Sequence, residues 1–393
     1  MGRVAGDGMR FAVLDGWRGV AALSLVFIRF DTDGTLTFAP FVRNTYLFVD
    51  FFFVLSGFVI AHTYGSRLTD RTSLVAFAIK RFGRLWPLHA FMVALYVLVL
   101  EAPRLLAGAE AFVGRRAPHT ILENLALIHS LGFTGPGGWN TPSWSISTEL
   151  WTYFVFALVV SLAPTMKTLI ATLLAIAGLA IVVAFSTHGM DATHDHGFAR
   201  CVAGFFAGVL TYEAWLRTRA TPPSRAVLAA AEVVLVVAVI AFVAVADRGP
   251  LSFAAPALFA IVVWVFAHEA GPASRLLAKA PVQALGAWSY SIYMIALFVG
   301  ELTSYALRVV DALVPFASFT RQINVFGDIR YGLDTGFWWL NDLGLVVFVG
   351  VVVALSSLTF RFVEEPARHW FNGIANRFTA RQGVGGSVAT PPS

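Results

Sequence analysis

Residues 168–185 read TLIATLLAIAGLAIVVAF, a stretch without a single charge that follows Lys167 directly. A helix needs about 20 mostly apolar residues to cross the hydrocarbon core of a bilayer, so this stretch reads as a membrane span. The rest of the chain has the same character. Of its 393 residues 58% are hydrophobic and only 13% charged, about half the charged share of an ordinary soluble domain. A soluble protein of this length could bury a large core but would still need a charged surface, and this chain lacks the charge to build one. Lipid is its natural solvent. The net charge of +5 does not indicate nucleic acid, because the 28 basic residues are dispersed and form no cluster with interleaved aromatics. A membrane protein with basic inner loops accounts for it better. The single cysteine, Cys201, offers neither a disulfide framework nor a metal set.

Outward from 168–185, the same reading places spans at 11–30, 46–62, 82–100, 143–163, 198–215, 226–245, 251–268, 288–310 and 343–362. The expectation is an all-α, polytopic transmembrane bundle of about ten spans; 46–62 and 82–100 are its weakest by length. The segment 332–340, with Phe337, Trp338 and Trp339, is too short to span and reads as interfacial or re-entrant. The first apolar stretch contains Asp15 and Arg18 and lacks a small-residue cleavage site, so it reads as a retained span.

Basic residues set the orientation. With the N-terminus inside, the inner segments hold 16: Arg3, Arg10, Arg67, Arg71, Lys80, Arg81, Arg84, Lys167, Arg217, Arg219, Arg225, Arg275, Lys279, Arg368, Arg377 and Arg381. The outer loops hold 7: Arg43, Arg104, Arg115, Arg116, Arg248, Arg321 and Arg330. Both termini are therefore expected in the cytoplasm. The layout is a cytoplasmic N-terminus over 1–10, a transmembrane domain over 11–370 and a cytoplasmic, disordered tail over 371–393, rich in Gly, Ser, Thr and Pro at its end.

Ionisable groups at bilayer depth are costly and so are functional candidates. Asp15 and Arg18 are i,i+3 neighbours able to pair on one helix face. Arg18 and Arg29 lie eleven residues apart, which on a continuous α-helix is a rise of roughly 16 Å with about 20° of rotation. That puts them on one face near opposite interfaces, where both could simply snorkel. Asp50, Arg200, Glu213, Glu301 and Arg308 also sit in or at the ends of spans, and Arg200 and Glu213 could just mark the two interfaces of theirs. Glu149 follows Trp144-Ser145-Ile146-Ser147-Thr148, with Ser145 one turn before it. That polar stripe on an otherwise apolar helix points to a polar cavity more than to an aromatic belt.

Six motifs then occur in order. Leu14-Asp15-Gly16-Trp17-Arg18-Gly19-Val20-Ala21-Ala22 opens the first span and Asp50-Phe51-Phe52-Phe53-Val54-Leu55-Ser56-Gly57-Phe58 lies in the second. Arg81-Phe82-Gly83-Arg84-Leu85-Trp86-Pro87-Leu88 enters the third and Trp144-Ser145-Ile146-Ser147-Thr148-Glu149 opens the fourth. Ser289-Tyr290-Ser291-Ile292-Tyr293 is in the ninth, and Arg361-Phe362-Val363-Glu364-Glu365-Pro366-Ala367 closes the tenth. In this order and spacing, from about 11 to 370, the chain resembles the acyltransferase 3 family of bacterial membrane acyltransferases. The resemblance implies a ten-helix, multi-pass protein of the bacterial inner (plasma) membrane. It implies acyl-CoA, acetyl-CoA first, as co-substrate, and O-acylation of a cell-envelope saccharide or glycolipid. The lipid bilayer, the donor and this acceptor are the expected partners, with no nucleic acid and no metal.

The family's hallmark is a basic residue, ten intervening residues and a histidine in the first span. Arg18 matches the first position; Arg29 stands where the histidine belongs. The ninth-span motif often continues to a histidine about three residues further on, where this chain has Ala296. O-acylation needs a base to take the hydroxyl proton, and a guanidinium, always charged and without an acceptor atom, cannot serve. Arg29 could stabilise an oxyanion or hold an anionic group. Three explanations remain open: a member whose base lies elsewhere, a variant in which the histidine was replaced, and an inactive or transport-like relative that binds a lipid-linked saccharide. Glu149 is the first candidate for a relocated base, followed by His62 and His89. The expected site comprises Arg18, Arg29 and Glu149 for catalysis, Arg81 and Arg84 for the donor, and Asp15, Trp144, Ser145, Arg200 and Tyr290 around the substrate.

The basic group Arg67, Arg71, Lys80, Arg81 and Arg84 is explained as a whole by topology and anionic lipid; only Arg81 and Arg84, inside a motif, are expected to meet donor phosphates. The loop 188–196 holds His188, Asp191, His194, Asp195 and His196, but in no established metal spacing, and reads as a solvated loop. No Walker loop, Gly-x-Ser-x-Gly elbow or His-Glu-x-x-His motif occurs. The Ser56-Gly57 pair reads as a point of close helix packing.

Overall fold

The computed structural model of the protein describes residues 10–132, 138–314, 318–325 and 328–385. Each of the ten expected segments contains a helix: α1 Ala12–Val26, α2 Phe48–Tyr64, α3 Arg71–Leu95, α4 Trp144–Leu162, α5 Lys167–Phe185, α6 Gly197–Thr218, α7 Arg225–Ala246, α8 Ala255–Phe266, α9 Ala280–Leu313 and α10 Trp338–Thr359. A further helix, α11 Glu365–Gly385, follows a π-helical turn at Phe360–Glu364. Among the described residues seven helical runs are long and apolar enough to cross a membrane: Thr45–Tyr64, Arg71–Leu106, Thr141–Leu162, Lys167–Phe185, Arg225–Ala246, Ala280–Leu313 and Trp338–Ala380. The protein is thus a multi-pass membrane protein. The other three helices fall short for visible reasons. α1 has 15 residues and carries Asp15 and Arg18, α6 carries Arg200, Glu213 and Arg217, and α8 has 12 residues.

The two segments weakest by length prove long. α3 begins with a capping box, in which Asp70 accepts the Ser73 N–H at 2.7 Å while Ser73 Oγ accepts the Asp70 N–H at 3.2 Å. It passes through Pro87 and continues by a π-helical stretch, Tyr96–Glu101, as far as Leu106. Conversely, α1 gives way at Phe27–Arg29 to a 3-10 turn. The eleven-residue phase expected between Arg18 and Arg29 therefore does not hold over its last turn, because a 3-10 turn is wound more tightly than an α-helix.

The helices are accompanied by one antiparallel hairpin, β1 Thr320–Val325 and β2 Asp328–Leu333, in register with Thr320 opposite Leu333. The loop after α1 joins it: Leu333 donates to Asp31 O at 3.0 Å and accepts from Asp33 N at 2.8 Å. The segment 332–340, expected to be interfacial or re-entrant, is divided between two elements. Gly332 and Leu333 complete a strand whose backbone groups are paired, and Trp338, Trp339 and Leu340 open α10. α11 continues to Gly385, within the expected tail; residues 386–393 lie outside the described residues, as do residues 1–9 with Arg3.

The chain divides into two compact units. One comprises the described residues up to Thr63 with Ala171–Ala192 and Ala199–Ser356. In it α1 lies along α9 at glycines: a Cβ on Gly286 would strike the Asp15 carbonyl, and one on Gly19 would lie 2.6 Å from Gly286 N. α2 and α6 meet the same way, Gly57 against the Phe205 carbonyl and Gly208 against that of Val54, so Gly57 marks a close helix crossing as its motif suggests. The other unit comprises the described residues of Tyr64–Ile170, Thr193–Phe198 and those from Ser357. There α11 packs on α3, with Phe371 filling the space above Gly83.

Candidate active site

In the first unit, Asp15 holds Arg18 at 3.0 Å, the expected i,i+3 pair, and also Arg10 at 2.8 Å. Arg18 is about one-quarter exposed. Arg29 ends the 3-10 turn with its side chain half-buried, and its backbone carbonyl lies against Gly300 of α9. Tyr290 is half-buried on α9 between the buried Ser289 and Ser291. Arg200, expected at the substrate, is 1% exposed and forms a two-pronged pair with Asp50, also fully buried. Its Nε donates to Oδ1 at 2.9 Å and its Nη2 to Oδ2 at 2.7 Å; Nη1 and Nη2 also reach the Ala192 and Tyr46 carbonyls at 3.2 and 3.3 Å. Charges taken out of water need such a complete set of partners. His62 sits edge-on among Phe11 and Tyr212, ring centroids 5.1 and 5.5 Å away.

The second unit brings two expected residues, Glu149 and Arg81, into one array. Tyr153, one turn after Glu149 on α4, donates its hydroxyl to Glu149 Oε1 at 2.5 Å. The Arg81 guanidinium lies 5.9 Å from the Tyr153 ring centroid and 5.2 Å from that of Tyr64, and donates to the Tyr64 hydroxyl at 3.3 Å. Cation–π contact of this kind anchors a guanidinium while leaving it charged. Arg84 is paired with Glu364, a carboxylate 1% exposed. Trp144 opens α4 with its side chain buried, and Ser145 donates to the Pro142 carbonyl at 3.1 Å. His89 is fully buried, with Nε2 2.8 Å from the Asn124 carbonyl. Its ring stacks on His129 at 5.7 Å, and His129 Nε2 lies 3.0 Å from Ser143 Oγ.

Among the described residues no group of three or more His, Cys, Asp and Glu could hold a metal ion. The loop over 188–196 has its own partners, with Asp191 paired to Arg248 at 2.9 Å and Asp195 Oδ1 accepting the Thr193 N–H at 3.1 Å. Burial holds His194 below the usual histidine range.

Sequence reasoning missed Tyr64, Tyr153, Glu364, His129 and Ser143. Tyr153 was within reach, since it lies four residues after Glu149 and i,i+4 residues are helix neighbours. Glu364 lies in a quoted motif. His129 has no local signal, because it is placed by a loop whose shape depends on α4.

An acyltransferase domain model matches residues 11–361. Among curated proteins, Protein 2 in picA locus of Rhizobium radiobacter is 36% identical over 169 residues, 38% of this chain and 81% of that protein. Acyltransferase MdmB of Streptomyces mycarofaciens is 34% identical over 114 residues, 28% of this chain and 27% of that protein. Peptidoglycan O-acetyltransferase OatA of Listeria monocytogenes is 24% identical over 392 residues, 93% of this chain. The chain spans 56% of OatA and 27% of MdmB. No solved structure matches. On a family model that covers most of its length, the chain belongs to the acyltransferase 3 family, enzymes that transfer acyl groups other than amino-acyl groups.

Proposed function

We propose that the protein is a membrane O-acyltransferase that moves an acyl group, acetyl first, from acyl-CoA to a hydroxyl of a cell-envelope carbohydrate. The observation that carries the reading is the family match over 11–361, which contains the Arg81–Tyr153–Glu149 array. A relative that aligns across 93% of the chain is named a peptidoglycan O-acetyltransferase, which favours an envelope glycan as acceptor. The same reading takes α1, α6 and α8 as spans beside the seven apolar runs and puts both termini in the cytoplasm of the inner membrane. The distribution of 16 against 7 basic residues supports that orientation.

In this reading Arg81 meets the donor phosphates. Arg84 is already balanced by Glu364 and has the weaker claim. In the first unit Arg18, paired with Asp15, and Arg29 are the catalytic candidates, Arg29 for a developing oxyanion. Glu149 polarises the site and is the first proton acceptor to test.

Purified protein with labelled acyl-CoA and an envelope extract tests the assignment, with Arg29→His and Glu149→Gln compared. Transfer by the present form, lost in Glu149→Gln, supports the full reading. Transfer only after Arg29→His identifies a disabled form. If neither form labels an extract shown to contain the natural polymer, the enzyme reading fails. A binding or transport-like role, which the arginine at position 29 favours, then takes its place.

A further inference from the structure

The arginine at position 29 leaves the reaction without the proton acceptor expected there. The second unit holds a pair whose geometry fits that work. His129 Nε2 lies 3.0 Å from Ser143 Oγ, and the two residues are 1% and 0% exposed. Three observations separate this pair from ordinary packing.

The first concerns Ser143. It ends the 3-10 turn Thr141–Ser143 that leads into α4, makes no side-chain cap bond, and has its Oγ within hydrogen-bond distance of His129. The second concerns the backbone that presents His129. Leu127 has φ +54°, a left-handed conformation that is strained for a residue with a side chain. α4 holds that turn, because the Leu127 carbonyl accepts from Ser147 Oγ at 2.7 Å and from Trp151 Nε1 at 3.0 Å. The helix that begins beside Ser143 therefore also fixes the strained turn that delivers its partner. Strain over-determined by its surroundings is characteristic of functional sites.

The third concerns the polar groups around His129. Ser130 Oγ, next to His129, is buried without a normal hydrogen-bond partner among the described residues, where most buried polar atoms have one, and the Glu123 backbone faces the His129 ring. His89 covers one face of the His129 ring in a parallel stack, 8° between planes. Its own Nε2 faces the Asn124 carbonyl at 2.8 Å, which can only accept, so Nε2 carries the His89 proton. Burial and the nearby His89 and His194 push His129 down to about 3. The ring is thus neutral near neutral pH. In the tautomer protonated at Nδ1, Nε2 offers its lone pair to the Ser143 hydroxyl.

We propose that Ser143 carries the acyl group as an ester during turnover, with His129 as its base; this rests on the acyltransferase reading above. As Ser143 Oγ attacks the carbonyl carbon of the donor thioester, its proton passes to His129 Nε2. The C–S bond breaks and the departing thiolate takes that proton. An acceptor hydroxyl then attacks the ester carbonyl and gives its proton to His129. The C–Oγ bond breaks, Oγ recovers the proton, and one acyl group has moved with both residues restored. On this path Arg29 is not asked to lose a proton.

The test uses the full chain in detergent with radiolabelled acetyl-CoA, first without acceptor and then with envelope extract, under acid quench. Wild type, Ser143→Ala, Ser143→Cys and His129→Gln are compared, each checked by thermal melting. Without acceptor, wild type is expected to hold a hydroxylamine-labile label on the peptide containing Ser143. Ser143→Ala loses that label, Ser143→Cys carries it as a thioester, and His129→Gln acquires it about 100-fold more slowly. The inference is overturned if folded Ser143→Ala labels the acceptor at the wild-type rate, if Ser143→Cys carries no thioester, or if the label maps elsewhere on the chain. In those outcomes acceptor labelling by wild type shows that the acyltransferase reading survives. Wild type that labels neither itself nor the acceptor sinks both.

Discussion

Asp50 and Arg200 place opposite charges where neither reaches water, and there they are paired with each other. A pair of this kind adds little compared with apolar residues of the same volume, but removing one member strands the other. Asp50→Asn is therefore expected to destabilise the protein by about 3–5 kcal/mol, and the double change Asp50→Leu with Arg200→Met to recover most of it; melting in detergent checks both. His129 gives a pH prediction. Its folded value near 3 lies below its ordinary value of 6.5, so the unfolded chain binds the extra proton. Its contribution is present above about 6.5 and lost as pH falls toward 3. The melting midpoint should drop on acidification from about pH 7 to pH 5, and less steeply in His129→Gln. What was legible at this scale followed sequence distance. Asp15 and Arg18 sit three residues apart and their pairing was readable. Asp50 and Arg200 lie 150 residues apart, and charge alone could not choose between a partner and an interface.

Among the helices, α2 and α6 cross where glycines replace side chains on both sides. Any Cβ at Gly208 overlaps the Val54 carbonyl, so the helices must separate to admit one. Gly208→Ala is expected to cost about 1–3 kcal/mol, the usual range for an overpacked contact, and Gly208→Leu more; thermal melting with intact expression levels decides it. The positions of all ten principal helices were readable from apolar runs, because lipid leaves few other solutions. Their ends were not. α3 outruns its apolar core because the Asp70 box starts it early and the π-helical stretch carries it past residue 100. α1 loses its α-helical winding at Phe27–Arg29. The hairpin Thr320–Leu333 escaped notice because its first strand, Thr-Arg-Gln-Ile-Asn-Val, has one strongly apolar inward position, Ile323, and looks like a polar loop.

Over the whole molecule, the family and the membrane character were legible, since six motifs keep their order from about 11 to 370. The division into two units was not, because each unit is assembled from three separated stretches. The candidate site shares this limit: residues of one motif find partners in another, as Arg84 finds Glu364, 280 positions away. Truncation after Glu364 removes α11, and with it the Phe371 side chain that fills the space over Gly83. The shortened protein is expected to melt at lower temperature and to accumulate less, which immunoblotting of membranes and melting in detergent would show. That packing also has a temporal meaning. Ribosomes deliver α3 early and α11 after every other described element, so the Gly83 surface waits uncovered through most of translation. Closure of that surface by Phe371 thus waits until α11 itself has been made.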